Sequence, residues 1–174
     1  MSAHPISVCI VCRDEADKLE PCLESVAWAD EVIVMDLESD DGSAEVAARS
    51  GARVIRRSPL PIVEPLREEL AAAASGEWVL AMDPDERVSP GLATALREAS
   101  VRGDIDAVEI PFTHYDFGHR PTHRLHRFEP RPRMYRRGVV VWPAEPNKHP
   151  AVAAGRTLRL PDSDAVVMLS LIHI

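Results

Sequence analysis

Along the first 112 residues, apolar and polar positions come in alternating blocks. "ISVCIVC" (6–12) is a short apolar run rich in β-branched residues, the pattern of a strand buried on both faces of a parallel sheet. In "DEADKLEPCLESVAWA", which follows, Leu19, Cys22, Leu23 and Val26 recur at helical spacing. "EVIVMD" (31–36) is a second strand; "DGSAEVAARSG" is a short helix closed by Gly51. "ARVIRR" (52–57) reads as a third strand. "VEPLREELAAAASG" is a helix of good formers whose Pro65 is tolerable only in the first turn. "EWVLAMD" (77–83) is a fourth strand. Ser89 and Pro90 supply an N-cap and a first helical residue for "SPGLATALREAS". "DAVEIPFTHY" (106–115) is the fifth strand.

This alternation predicts an α/β fold: a mostly parallel, Rossmann-like sheet with helices on both faces. From 116 to 150 the pattern gives way to a stretch rich in proline, arginine and histidine, with short β-like runs at "RMYRR" and "VVVW". It reads as an irregular loop followed by a small, less regular C-terminal β region. "GRTLRLPDSDAVVMLSLIHI" predicts two more strands, and the chain ends inside an apolar run, which points to a truncated product. The expected division is therefore residues 1–112 as a ligand-binding α/β half and 113–174 as a second region of the same domain.

Charge sharpens that division. The net charge is −8, which argues against nucleic acid as a partner. Residues 1–112 hold 10 Lys/Arg against 23 Asp/Glu, whereas residues 113–137 hold 7 Arg and only Asp116 and Glu129. His114, His119, His123 and His126 dot the same basic insert. The three cysteines Cys9, Cys12 and Cys22 read as buried thiols: three positions apart on a strand, Cys9 and Cys12 face opposite sides. No run approaches 18 apolar residues, and the N-terminus lacks a basic region followed by an apolar one. The default expectation is a cytoplasmic protein.

Ligands of such sheets bind beyond the carboxyl ends of the strands. Three strands deliver polar residues there: "CRDE" after the first, "DLESDDGS" after the second and "DPDER" after the fourth. No glycine-rich dinucleotide fingerprint or phosphate loop follows any strand. Asp83-Pro84-Asp85 has two readings. In extended backbone its carboxylates point the same way and suit Mg²⁺ or Mn²⁺ together with phosphate oxygens; the alternative is turn chemistry ahead of the Ser89 cap. Asp40-Asp41-Gly42-Ser43 reads as a turn and helix cap. The Arg/His insert has three readings: a solvated loop, a transition-metal site at His119, His123 and His126, or an anion clamp. In the last, Arg131, Arg133, Arg136 and Arg137 would meet phosphates of an acceptor or donor, or an anionic membrane surface at its inner face.

"ISVCIVCRDEADKLEPCLESV", "EVIVMDLESDDGS" and "PLREELAAAASGEWVLAMDPDE", in that order and spacing, resemble the inverting glycosyltransferases of family 2, which have the GT-A fold. The similarity lies toward the branch of lipopolysaccharide-core glucosyltransferases and covers 6–112 well and 130–160 loosely. It implies a hexosyltransferase moving a sugar from a nucleotide-diphosphate donor, a UDP-sugar for preference, to a saccharide or lipid-linked acceptor of the cell envelope. By the same resemblance Cys12, Arg13 and Glu15 would lie against the base and ribose, Asp36 would bind the base and Arg67 would approach the nucleotide. Asp83 and Asp85 would hold the ribose and the metal–diphosphate. The chain departs from the family where Cys12, Arg13 and Asp14 replace the usual Thr, Tyr, Lys or Asn, and where Glu68 replaces an Asn. Relatives place a His-Glu pair late in the domain; here His149 is followed by Pro150, which makes Glu145 the candidate base beside His149. The alternative functions are a nucleotide-sugar-binding module without turnover and a sugar-phosphate nucleotidyltransferase. The latter would carry a glycine-rich loop that "CRDEADK" lacks.

Overall fold

Strand β1 (Ile6–Cys12) organises the rest: all seven residues are buried. Its side chains alternate between two cores. Ile6, Val8, Ile10 and Cys12 pack with Leu19 and Leu23 of α1 (Ala16–Ser25), Ala47 of α2 (Ser43–Arg49) and Leu92 and Leu96 of α4 (Pro90–Ser100). Cys9 and Val11 face Leu66, Leu70 and Ala71 of α3 (Glu64–Ala73) on the other side. Helices thus cover both faces, and the two thiols of the C-x-x-C lie in different cores. Leu92 and Leu96 are one helical turn apart and fully buried, each contributing roughly 2 kcal/mol by transfer from water. Ser89 caps their helix by accepting the Leu92 N–H at 3.1 Å.

The computed structural model describes residues 4–114, 130–143, 145, 150–153, 155–161 and 166–168. β1 pairs in parallel with β2 (Glu31–Asp36) and with β4 (Trp78–Met82), and β3 (Arg53–Arg56) extends the sheet beyond β2. Ser7, buried at the other end of β1, hydrogen-bonds Glu31 at 2.5 Å and accepts the Gly76 N–H at 2.8 Å. Any Cβ at Gly76 would stand 2.6 Å from Ser7 Oγ and 2.9 Å from the Pro5 carbonyl, so the close approach requires glycine.

Two expectations are corrected beyond residue 106. The fifth strand is split into β6 (Ala107–Ile110) and β7 (Phe112–His114), because Pro111 has no N–H for a continuous ladder. β7 belongs to a second sheet, ordered β5 (Glu86–Arg87), β12 (Val166–Met168), β7. The "RPRMYR" run does not form a separate small sheet. As β8 (Arg131–Arg136) it inserts antiparallel between β4 and β6, giving the order β11-β6-β8-β4-β1-β2-β3 with β11 (Thr157–Arg159) at one edge. Its alternation is hidden because Arg133 sits at a register shift and breaks the period of two. β9 (Val140–Val141) and β10 (Ala151–Val152) form a two-stranded ladder over the α3 face. Among the described residues no helix is long and apolar enough to cross a membrane.

Candidate active site

Strand order reverses at β1: the chain proceeds to β2 and β3 on one side and returns to β4 on the other. Such a switch point leaves a crevice beyond the carboxyl ends. A cleft of about 370 Å³ opens there, walled by Cys12, Arg13 and Glu15 after β1, Leu37 after β2, Val63 and Arg67 at the start of α3, and Asp83 to Asp85 after β4.

The rim is built by hydrogen bonds between the first two strand-end loops. Asp14 and Glu38 both adopt positive φ (51° and 55°), a conformation that L-residues hold only under local constraint. Ser39 Oγ accepts the Asp14 N–H at 3.0 Å, and Asp14 Oδ1 accepts the Asp40 N–H at 2.8 Å. Asp41 accepts the Ala16 N–H at 2.8 Å, capping α1, and also bonds Ser43. The "SDDGS" run is therefore turn and cap. Asp36 is 1% exposed; its Oδ2 accepts the Ser39 N–H at 3.4 Å, and its Oδ1 is a buried side-chain oxygen without a hydrogen-bond partner among the described residues. It lies opposite Cys12 in the β1–β2 register and immediately before Leu37 of the cleft wall.

Asp83-Pro84-Asp85 is not extended. The Glu86 N–H donates to the Asp83 carbonyl at 3.0 Å, closing a turn, so the expected alternation of side chains does not apply. The turn still brings both carboxylates to the cleft. Asp83 is ion-paired with Arg67 and lies 3.6 Å from Arg133. Burial alone would raise its pKa, but the two guanidiniums outweigh it and hold the carboxyl below its usual value. Asp85 moves the other way, pushed up by burial and then by the Asp83 charge. Glu86, 1% exposed, is pushed up to about 7 by burial, against the pull of Arg133. Among the described residues no group of three His, Cys, Asp or Glu side chains converges on one point. An oxygen-seeking divalent ion fits what is there: two carboxylates on one cleft, one destabilised by the other's charge, with further ligands to come from phosphate or water.

The other candidates divide. Arg67 lies 5.7 Å from the Trp142 ring centroid, and the Trp142 indole N–H donates to the Tyr135 hydroxyl at 3.3 Å. Arg133 is brought to the acidic turn rather than to open solvent, with Arg131 half-buried two residues before it. Arg136 and Arg137 are not among the residues that wall the cleft. Arg136 pairs opposite Trp78 at the start of β4, contacts Glu77 and lies 4.7 Å over the Trp78 ring, while Arg137 donates to the Ala74 carbonyl at 2.7 Å. Because β8 runs antiparallel to β4, three residues from Arg133 to Arg136 carry the chain about 10 Å toward the opposite end. Glu145 is exposed, three residues beyond Trp142. His149, His119, His123 and His126 lie outside the described residues. The sequence places Glu86 at the strand end with Asp83 and Asp85 but gives it no role, and nothing in it singles out Phe112 or Trp142.

A mostly parallel sheet covered by helices on both faces, with a crevice at its switch point rimmed by acids and backed by arginines, is the arrangement of the GT-A fold. The chain belongs to glycosyl transferase family 2, whose model matches residues 7–158. It is 33% identical over 135 residues to a TPR repeat-containing protein of Synechococcus elongatus, covering 70% of this chain and 34% of that protein. It is 35% identical over 88 residues to an uncharacterised glycosyltransferase of Rickettsia bellii, covering 50% of this chain and 30% of that one. The chain thus spans about a third of the length of these two relatives. Staphylococcus aureus TarS (residues 1–349) superposes with a TM-score of 0.74 at 16% identity, over 95% of this chain and 60% of that one, which shows the fold. Glucosyl-3-phosphoglycerate synthase of Mycobacterium tuberculosis, in complex with Mn²⁺, UDP and glucosyl-3-phosphoglycerate, superposes with a TM-score of 0.53 at 26% identity, over 66% of this chain and 45% of that one.

Proposed function

We propose that this chain carries the donor site of an inverting, metal-assisted glycosyltransferase that takes a nucleoside-diphosphate sugar, a UDP-sugar for preference. The observation that carries the reading is the single cleft on which Asp83, Asp85 and Arg67 converge, with the unpartnered oxygen of Asp36 next to its wall. A buried acceptor without a donor is costly, and a base N–H is the kind of group that would satisfy it. Cys12, Arg13 and Glu15 would border base and ribose. Asp85, with Asp83, would hold Mg²⁺ or Mn²⁺, which neutralises charge on a diphosphate leaving group. The M. tuberculosis synthase, bound to UDP and Mn²⁺, supports that choice of ligands.

In the transfer, a carboxylate takes the proton of the acceptor hydroxyl as its oxygen attacks the anomeric carbon, and the bond from that carbon to the diphosphate oxygen breaks. Glu145 is assigned as that base. Three residues of extended chain reach about 10 Å, so the Trp142–Arg67 stack keeps Glu145 within range of the donor-side arginine. His149 is assigned with it by sequence proximity. The region 113–174 becomes the acceptor side, with Arg131 placed for a phosphorylated saccharide or lipid-linked acceptor, such as a cell-envelope glycan precursor made at the inner face of a membrane.

Calorimetric titration with UDP, GDP and ADP, with and without Mn²⁺, tests the donor assignment. Metal-dependent UDP binding that Asp85→Ala weakens is the expected outcome; equal binding by that variant contradicts it. Release of UDP from a UDP-sugar separates the enzyme from a binding module without turnover.

A further inference from the structure

A buried ion pair lies behind the cleft. Glu86 has a side chain 1% exposed, and that of Arg133 is 11% exposed. Arg133 reaches this position through a break in strand register. Val108 of β6 pairs with Met134 and Glu109 with Pro132, so Arg133 is an extra residue on β8 with no partner on β6. A bulge of this kind takes one side chain out of the alternation and re-aims it, and such bulges gather beside active sites. Pro132 suits the position, having no ladder N–H to lose.

The re-aimed guanidinium lies 5.2 Å from the Phe112 ring centroid and is paired with both carboxylate oxygens of Glu86. It is also 3.6 Å from Asp83 Oδ2. Glu86 Oε2 in turn accepts the backbone N–H of Asp83 at 2.9 Å. The contacts close on themselves: Arg133 faces the Asp83 side chain, Glu86 holds the Asp83 backbone, and the two hold each other. Stability does not account for such a pair, since buried ion pairs lose most of their attraction to desolvation and apolar substitutes of similar volume often do as well. Control of geometry does account for it.

We propose that Arg133, aimed by the β8 bulge, and Glu86 brace the Asp83–Asp85 turn from behind, making Arg133 a positioning residue of the donor site rather than a phosphate contact. The inference rests on the nucleotide-sugar reading of the cleft. Supporting partners of this kind typically govern metal or ligand affinity by about 10–100-fold.

The test uses the 174-residue chain, UDP and Mn²⁺. Arg133→Met combined with Glu86→Gln removes both charges, leaves an oxygen to accept the Asp83 N–H, and strands no buried ion. Calorimetry is expected to show UDP–Mn²⁺ affinity about 10–100-fold weaker than wild type, while thermal unfolding stays cooperative with a midpoint near wild type. A merely structural role would move the midpoint and spare the affinity. A folded double variant that binds like wild type overturns the brace. Should that variant not fold, Arg133→Lys decides, since an ammonium keeps the charge without the planar fork: weakened binding supports the proposal, wild-type binding overturns it. Wild-type chain that binds no UDP removes the cleft reading and the brace together, whereas wild-type binding with unaffected variants removes the brace alone.

Discussion

Asp36→Asn should make the free protein more stable and the nucleotide complex weaker. Asp36 is 1% exposed, with one oxygen holding the Ser39 N–H at a long 3.4 Å and the other without a partner among the described residues. A buried, unsatisfied acceptor costs about 1–3 kcal/mol, and more when it carries charge. Asparagine keeps an oxygen for Ser39 and removes the charge, but brings an amide that also lacks partners, so the net gain is about 1 kcal/mol. In a chain of this size that raises the unfolding midpoint by roughly 2–4 °C. If the free oxygen is kept for a base N–H, its loss removes a charge-assisted hydrogen bond of about 1.5–3 kcal/mol, or roughly 10–100-fold in UDP affinity. Calorimetric melting and UDP titration on the same preparations read both effects. A variant that is destabilised and binds UDP as tightly as wild type refutes the reasoning.

Glu145→Gln should lower kcat by about 10²–10⁴-fold and leave the donor KM nearly unchanged; steady-state transfer kinetics check it, and an unaltered kcat removes Glu145 as base. Asp83 has a folded pKa below the ordinary carboxylate value, so its ion pairs contribute stability that is complete above about pH 4 and lost as pH falls through the folded pKa. The stability difference between wild type and Asp83→Asn, followed by urea unfolding, should therefore shrink below pH 4; a gap that widens there contradicts it. All three thiols are buried and pushed up to about 12, chiefly by burial. A thiol-reactive chromophore at pH 8 should react with none of them in native protein and with all three in urea.

How much of this was legible in sequence depends on the range of the signal. β1, β2 and α4 begin and end close to where their apolar runs and the Ser89–Pro90 cap put them, because those cues are local. The convergence of Asp83 and Asp85 could also be anticipated, from the rule that parallel strands deliver loops to one edge. The path of β8 could not. Its arginines read as a solvated or anion-binding stretch, whereas partners distant in sequence bury them: Glu86 for Arg133, and Trp78 with Glu77 for Arg136. Arg137 likewise has a partner distant in sequence, the Ala74 carbonyl 63 residues away. Charge balance in a core is a property of tertiary contacts, and periodicity carries none of it.

The central claim is the location of the nucleotide and its ion. A crystal of this chain grown with UDP and Mn²⁺, with anomalous scattering collected for manganese, tests it most directly. The expected result is a manganese peak at Asp85 in the crevice between β1 and β4, with the uracil ring against the β1–β2 rim and its N–H within hydrogen-bonding distance of Asp36. Manganese bound away from the 83–85 turn, or uracil ordered elsewhere on the surface, would contradict the account.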